Sequence, residues 1–119
     1  MCAAVADPAC IMVNRNQGAG TRILIDRLLG DARPEGYWNQ PRSHNAVAAA
    51  VAQGRADWGM TIAPVAHAAD LGFIPFADEY YDSALVTARK QRPAVLAFLD
   101  SLASHEARAA LTEAEFRPV

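Results

Sequence analysis

An α/β fold, with a mostly parallel sheet and flanking helices, is what this sequence predicts, because short apolar runs alternate with stretches of helical period along most of its length. Glycine and proline punctuate the alternation, and neither an internal repeat nor a low-complexity linker interrupts it. With 119 residues, 52% of them hydrophobic and 20% charged, the chain is read as a single α/β domain over residues 1–119.

The elements follow in order. Residues 1–9 are rich in alanine without strong periodicity, and Ile11-Met12-Val13 reads as a buried strand that stops at a polar, glycine-containing loop. Ile23, Leu24, Leu28 and Leu29 have helical spacing, Arg22 and Asp26 form an i,i+4 pair, and Gly30 suits a C-terminal cap. Pro34, Gly36 and Pro41 make Asp31–Pro41 a connection, with Tyr37-Trp38 as a very short strand in its middle. Ser43 caps a second helix with Val47 and Val51 on one face and Gly54 at its end. Asp57–Ile62 reads as a strand, Pro64 opens a helix reaching about Leu71, and Gly72–Phe76 and Tyr80–Thr87 read as two further strands. Pro93 starts a helix with Val95, Leu96, Leu99 and Leu102 along one side, and Ser104 caps a last helix.

Composition excludes several functions. A formal charge of −2 supplies no positive field for bulk nucleic-acid binding, so any anion must be met locally. No apolar run approaches the roughly 20 residues that span a bilayer. Met1–Cys10 carries no Lys or Arg and is broken by Asp7 and Pro8, unlike a secretory leader, so a soluble, cytoplasmic protein is expected. Cys2 and Cys10 have no second pair with which to build a zinc site and are assigned no role.

Chemistry concentrates in the loop Asn14-Arg15-Asn16-Gln17-Gly18-Ala19-Gly20-Thr21-Arg22, which joins a strand to a helix. Gly18 and Gly20 permit close backbone approach, the first helical amides point outward unpaired, and the helix dipole attracts negative charge. The Thr21 hydroxyl and the Arg15 or Arg22 guanidinium add directed donors, so a tetrahedral oxyanion or a carboxylate fits. The other reading is a tight turn in which Asn14 and Thr21 merely cap the helix. No Lys-Ser or Lys-Thr follows the glycines and the three-glycine dinucleotide pattern is absent, which disfavours nucleotide hydrolysis. Ser43 and His44 form a second helix start with free donors, or a plain cap beside a surface imidazole. Asp57 orients a loop or an arginine, or is a turn residue. Asp78, Glu79 and Asp82 read as a solvated strand end, and no catalytic constellation emerges.

Together, Asn14-Arg15 with Gly18-Ala19-Gly20-Thr21-Arg22, Ser43-His44 with Val47–Val51, Gly54–Gly59, and Leu71–Phe76 followed by Glu79–Asp82 resemble the periplasmic-binding-protein-like domain of molybdopterin-biosynthesis proteins and molybdate-type transcription regulators. The resemblance implies one lobe of a type II periplasmic-binding fold plus C-terminal helices, with ligand binding and not catalysis. It implies that Arg15, Gly18, Ala19, Gly20, Thr21, Arg22, Ser43 and His44 line one wall, with Asp57 on the hinge side. The ligand so implied is a small anion, a molybdate- or tungstate-type oxyanion or a molybdopterin-related compound, with no cofactor or metal. Ala19 stands where the family commonly has Ser, and since only a short segment precedes the first strand, the resemblance leads one to expect that a first lobe is absent from this chain. An exposed cleft face implies a homodimer or a fused partner domain. An enzyme domain using His44 and Asp57 as acid and base, or a purely structural dimerisation module, are the alternatives.

Overall fold

In the computed structural model, which describes residues 2–118, β1 is the two-residue strand Met12–Val13, fully buried on both faces. Its side chains point to opposite sides, as the period of two requires, and each side carries its own core. Met12 packs with Ile25, Leu29 and Tyr37, joined by the partly buried Val5, Trp58 and Met60. Val13 packs with Val47, Ala50 and Ala56, joined by Val51. Burying side chains of this size stabilises by about 1.5–3 kcal/mol each.

The backbone of β1 is bonded on both sides. Strand β2 (Trp58–Gly59) lies parallel to it, with Met12 opposite Trp58 and Val13 opposite Gly59. On the other side the connection after the first long helix runs alongside, its Glu35, Asn39 and Pro41 carbonyls accepting from the amides of Met12, Asn14 and Asn16 at 2.8, 2.9 and 3.2 Å. The Tyr37-Trp38 stretch within it is a turn and not a strand.

Alanine-rich Cys2–Ala6 forms α1, where no element was predicted, in keeping with the high helix propensity of alanine. Gly20–Leu29 is α2, ended by Gly30 in the left-handed region at φ 56°. His44–Ala52 is α3, capped by Ser43, whose Oγ accepts from the Ala46 amide at 3.1 Å. Ala63–Ala68 is α4, with proline in its first turn. Helices α1 to α3 supply side chains packed on these strands, and α4 packs on α3. These elements belong to a unit that ends at Ile74.

A second unit begins at Pro75. It contains a 3₁₀ turn, Thr87–Arg89, and the packed helices α5 (Pro93–Ala103) and α6 (His105–Glu113). Ser104 caps α6 as its sequence predicts, its Oγ accepting from the Ala107 amide at 3.1 Å. Along the predicted apolar face of α5, Val95 and Leu99 are half-buried while Leu96 and Leu102 stay exposed. Tyr81 meets Phe116 edge to face, and Arg117 pairs with Asp78 at 2.8 Å on the surface.

The expected mostly parallel sheet with flanking helices does not form. Helix accounts for 45% of the chain and strand for 3%, and the two-residue pair β1–β2 is the sheet among the described residues, so the sheet-dominated lobe implied by the resemblance is corrected to a mostly helical structure. Gly72–Phe76 and Tyr80–Thr87 carry the apolar pattern of strands, but neither joins a ladder, and Ile74, Phe76, Tyr80, Tyr81, Leu85 and Val86 are exposed. An apolar run becomes a strand only where a partner offers hydrogen bonds, and Pro75 lacks an N–H to give. Asp57–Ile62 shortens to Trp58–Gly59 because Ile62 already serves as the N-cap of α4.

Two glycines are fixed by close packing. Gly36 has φ 83°, and a Cβ there would overlap the Met12 carbonyl. Gly59 has no such backbone demand, yet a Cβ would meet Val13 Cγ1 at 2.7 Å and Val47 Cγ1 at 2.8 Å. Replacing Gly36 by alanine combines left-handed strain with a backbone clash, and a loss of about 2 kcal/mol or more in urea unfolding is expected. An unchanged midpoint would show that the connection does not pack against β1 as described.

Candidate functional site

β1 and β2 are parallel, so their carboxyl ends lie together, and the chain leaves them through the Asn14–Ala19 loop and through Met60–Ile62. The amino ends of α2 and α3 serve the same region, since Thr61 Oγ1 donates to the His44 carbonyl at 3.4 Å and ties the start of α3 to the segment leaving β2. A crevice at the carboxyl ends of parallel strands is where α/β units usually hold ligands.

The loop is built on buried polar groups. Asn14, fully buried, donates from Nδ2 to the Tyr37 carbonyl at 3.1 Å and accepts at Oδ1 from the Arg15 amide at 2.8 Å. Arg22, 5% exposed, spends its guanidinium inside the protein: Nη1 donates to the Arg15 carbonyl at 2.9 Å, Nη2 to the Tyr37 hydroxyl at 2.6 Å, and Nε to both Asp26 oxygens at 2.9 Å. Tyr37 in turn donates to Asp26 Oδ1 at 2.9 Å, and its ring centre lies 4.7 Å from the guanidinium carbons of both Arg22 and Arg33. Asn14 and Arg22 thereby clamp the two sides of the Arg15 backbone.

Arg15 itself is 8% exposed, and its buried Nε and Nη1 have no hydrogen-bond partner. Among the described residues no carboxylate pairs with it. Gly18, at φ 85°, makes the turn that leads into α2. Ala19 takes the N-cap position with no side-chain cap bond, and no hydrogen bond among the described residues uses the amides of Gly20 and Thr21. Thr21 is buried at 5% exposure. The first turn of α2 therefore has no side-chain cap and begins five residues after the buried Arg15, whereas α3 is capped internally by Ser43, with His44 as its first residue.

The structure brings Arg15, Gly18, Ala19, Gly20, Thr21 and Arg22 into one loop and helix start, and it sets Ser43 and His44 at the start of α3. Asp57 is not part of that gathering. It precedes β2, at the amino end of the parallel pair, where Oδ2 accepts from the Ile11 amide at 2.7 Å. His44 and Asp57 consequently stand at opposite ends of the strands. Cys10 is unpaired, and desolvation, followed by the negative charges of Asp57 and Asp7, pushes its thiol pKa up, which disfavours the thiolate. The Cys2 side chain lies outside the described residues. No group of three or more His, Cys, Asp or Glu among the described residues is arranged to hold a metal ion, and no helix there is long and apolar enough to cross a membrane.

Tyr37 and Thr61 were not legible as site residues. Tyr37 lies fifteen positions from Arg22 within a Pro/Gly connection, and no local spacing signals their contact. The Arg22–Asp26 pair, at i,i+4, was legible and forms as its spacing predicts.

The chain matches the PBP superfamily domain over residues 1–103 and belongs to that family. The uncharacterized protein YvgK of Bacillus subtilis (strain 168) is 34% identical to it over 106 residues, covering 85% of this chain. The chain spans 34% of that relative's length. No solved structure matches it.

The Arg22–Tyr37–Asp26 cluster makes two predictions. Tyr37→Phe leaves a buried Arg22 donor without its acceptor, and a loss of about 1–3 kcal/mol is expected in urea unfolding. Burial acts to raise the Asp26 carboxyl pKa, but hydrogen bonds from Arg22 and Tyr37 and the charges of Arg22 and Arg33 outweigh it and hold the group below its ordinary 3.8. A depressed folded pKa contributes stability that is complete above the unfolded value and is lost as pH falls through the folded one. Melting temperature should therefore drop with pH below about 4, and Asp26→Asn should flatten that decline, modestly, because solvent reaches the carboxylate. Parallel acid limbs for the two proteins would remove Asp26 as a contributor.

Proposed function

We propose that this chain is a non-catalytic binding domain for a small anionic ligand, held at the carboxyl ends of β1 and β2 by the Arg15–Arg22 loop and the start of α3. The observation that carries this reading is the buried Arg15 guanidinium with Nε and Nη1 unpartnered, in the loop that leads into a helix start without a side-chain cap. A buried cation without a partner is costly, and an anion supplies the missing acceptors. Membership of the PBP superfamily supports a ligand-binding role in general terms.

Arg15 contributes charge, the Gly20 and Thr21 amides contribute donors and the favourable end of the helix dipole, and Gly18 lets the backbone turn toward the ligand. Ala19 leaves the approach open. Ser43 and His44 form the facing wall, and Arg22 acts through the Arg15 carbonyl. Molybdate, tungstate and molybdopterin-related compounds are the ligands to which the sequence resemblance points, within a larger assembly that reads occupancy through a second copy or a fused domain.

Isothermal titration with sodium molybdate, sodium tungstate and sodium phosphate tests the reading. One-to-one binding of at least one of them is expected, weakened about tenfold by Thr21→Val, which deletes one donor at nearly constant shape. Absence of heat with all three, at millimolar ligand, would sink the proposal.

A further inference from the structure

Resting on that reading, we propose that Arg15 is the group that recognises the ligand's charge, and that its uncompensated burial weakens the empty protein so that fold stability and binding of a compact oxyanion rise together. The other buried arginine among the described residues behaves otherwise. Arg22 is buried to a similar degree, yet each of its nitrogens has an acceptor, a carboxylate among them. Arg15 sits seven residues away with two orphaned nitrogens.

Two acidic residues of the first unit are committed elsewhere: Asp26 to Arg22 and Tyr37, and Asp57 to the Ile11 amide at the far end of the strands. The Arg15 backbone is immobilised on both flanks, the amide by Asn14 and the carbonyl by Arg22. Such support fixes the backbone from which a recognition side chain projects. Arg15 lies two residues beyond Val13, whose side chain packs with Val47 and Ala50 of α3.

The class of ligand follows from the donors. Nε and Nη1 are N–H groups of a permanent cation and can only donate, as can the amides of Gly20 and Thr21. An occupant must therefore bring several acceptor oxygens and a negative charge in a small volume. Phosphate, molybdate and a carboxylate share that chemistry, and a neutral polyol lacks the charge. Asn14 and Arg22 are positioning residues for this interaction.

Thermal unfolding of the full chain and its Arg15→Leu and Arg15→Gln variants, at constant ionic strength in sodium chloride, sodium phosphate, sodium molybdate, sodium acetate or glycerol, tests the proposal. The unsubstituted chain should gain several degrees with one or more of the oxyanions and none with glycerol beyond the gain seen in both variants. Arg15→Leu should melt about 3 °C or more above the unsubstituted chain in chloride, since an apolar side chain replaces an unpaired buried charge, and should lose the oxyanion response. Arg15→Gln should lose the response too, which keeps the test informative if the leucine variant does not fold. An oxyanion response retained in the variants, or a leucine variant that folds but melts lower in chloride, overturns the role of Arg15 while leaving the binding site standing. An unsubstituted chain that responds to no oxyanion overturns the site itself.

Discussion

Burial of the Arg22 guanidinium is the constraint on which the first unit is organised. A cation taken out of water must find acceptors for all its donors, and this one finds them in three segments far apart in sequence: the Asp26 carboxylate one helical turn on, the Arg15 carbonyl in the loop before, and the Tyr37 hydroxyl in the connection after. Each acceptor is thereby placed. Asp26 is held on the same face of α2 as Arg22, Tyr37 ties that face to the connection, and the Arg15 carbonyl ties it to the exit from the strand. The two separate apolar cores flanking β1 supply the burial, but they do not specify how the loop between β1 and α2 runs.

That division of labour explains which parts of the molecule the sequence disclosed. Helices depend on contacts a few residues apart, and their signals lie side by side: Ser43 before α3, Ser104 before α6, Pro93 at the start of α5, Gly30 after α2. Each is where its spacing put it. Strands depend on a partner supplied from a distance, and hydrophobic pattern reports only the capacity to pair. Tyr80–Thr87 has that capacity and no ladder, so a strand-like sequence adopts no strand, and a sheet inferred from alternation becomes a two-residue pair. The helices with local start and stop signals were located, α1 was missed because its alanine-rich segment carries no such signal, and the architecture drawn from the strands did not form.

The site divides in the same way. A glycine turn opening a helix is a local pattern, and so is an i,i+4 Arg–Asp pair. Distinguishing Arg15 from Arg22 was beyond reach, because both are arginines flanking the same loop and their difference lies in Tyr37 and Asp26 consuming the donors of one of them. Asp57 shows the converse limit. Its carboxylate reads from sequence as orienting a loop or an arginine, and the direction of the parallel strands puts the residue before β2 at the end opposite to the residue after β1. Neighbourhood in a parallel pair follows chain direction, a property of the fold and not of composition.

Two helix starts near the strands' carboxyl ends are finished differently, and that difference bears on where a ligand sits. Ser43 satisfies a first-turn amide of α3 with its own hydroxyl, which makes that end partly self-sufficient. Ala19 offers α2 no such group. A hydroxyl at Ala19 could cap α2 from within and reduce the donors left for a ligand, whereas a methyl group leaves them to be met from outside. The uncapped end and the unpaired guanidinium thus present the same requirement, acceptors without donors, from two directions. Because Arg22 holds the Arg15 carbonyl while belonging to α2 itself, the backbone that carries the cation and the start of the helix are linked through one side chain.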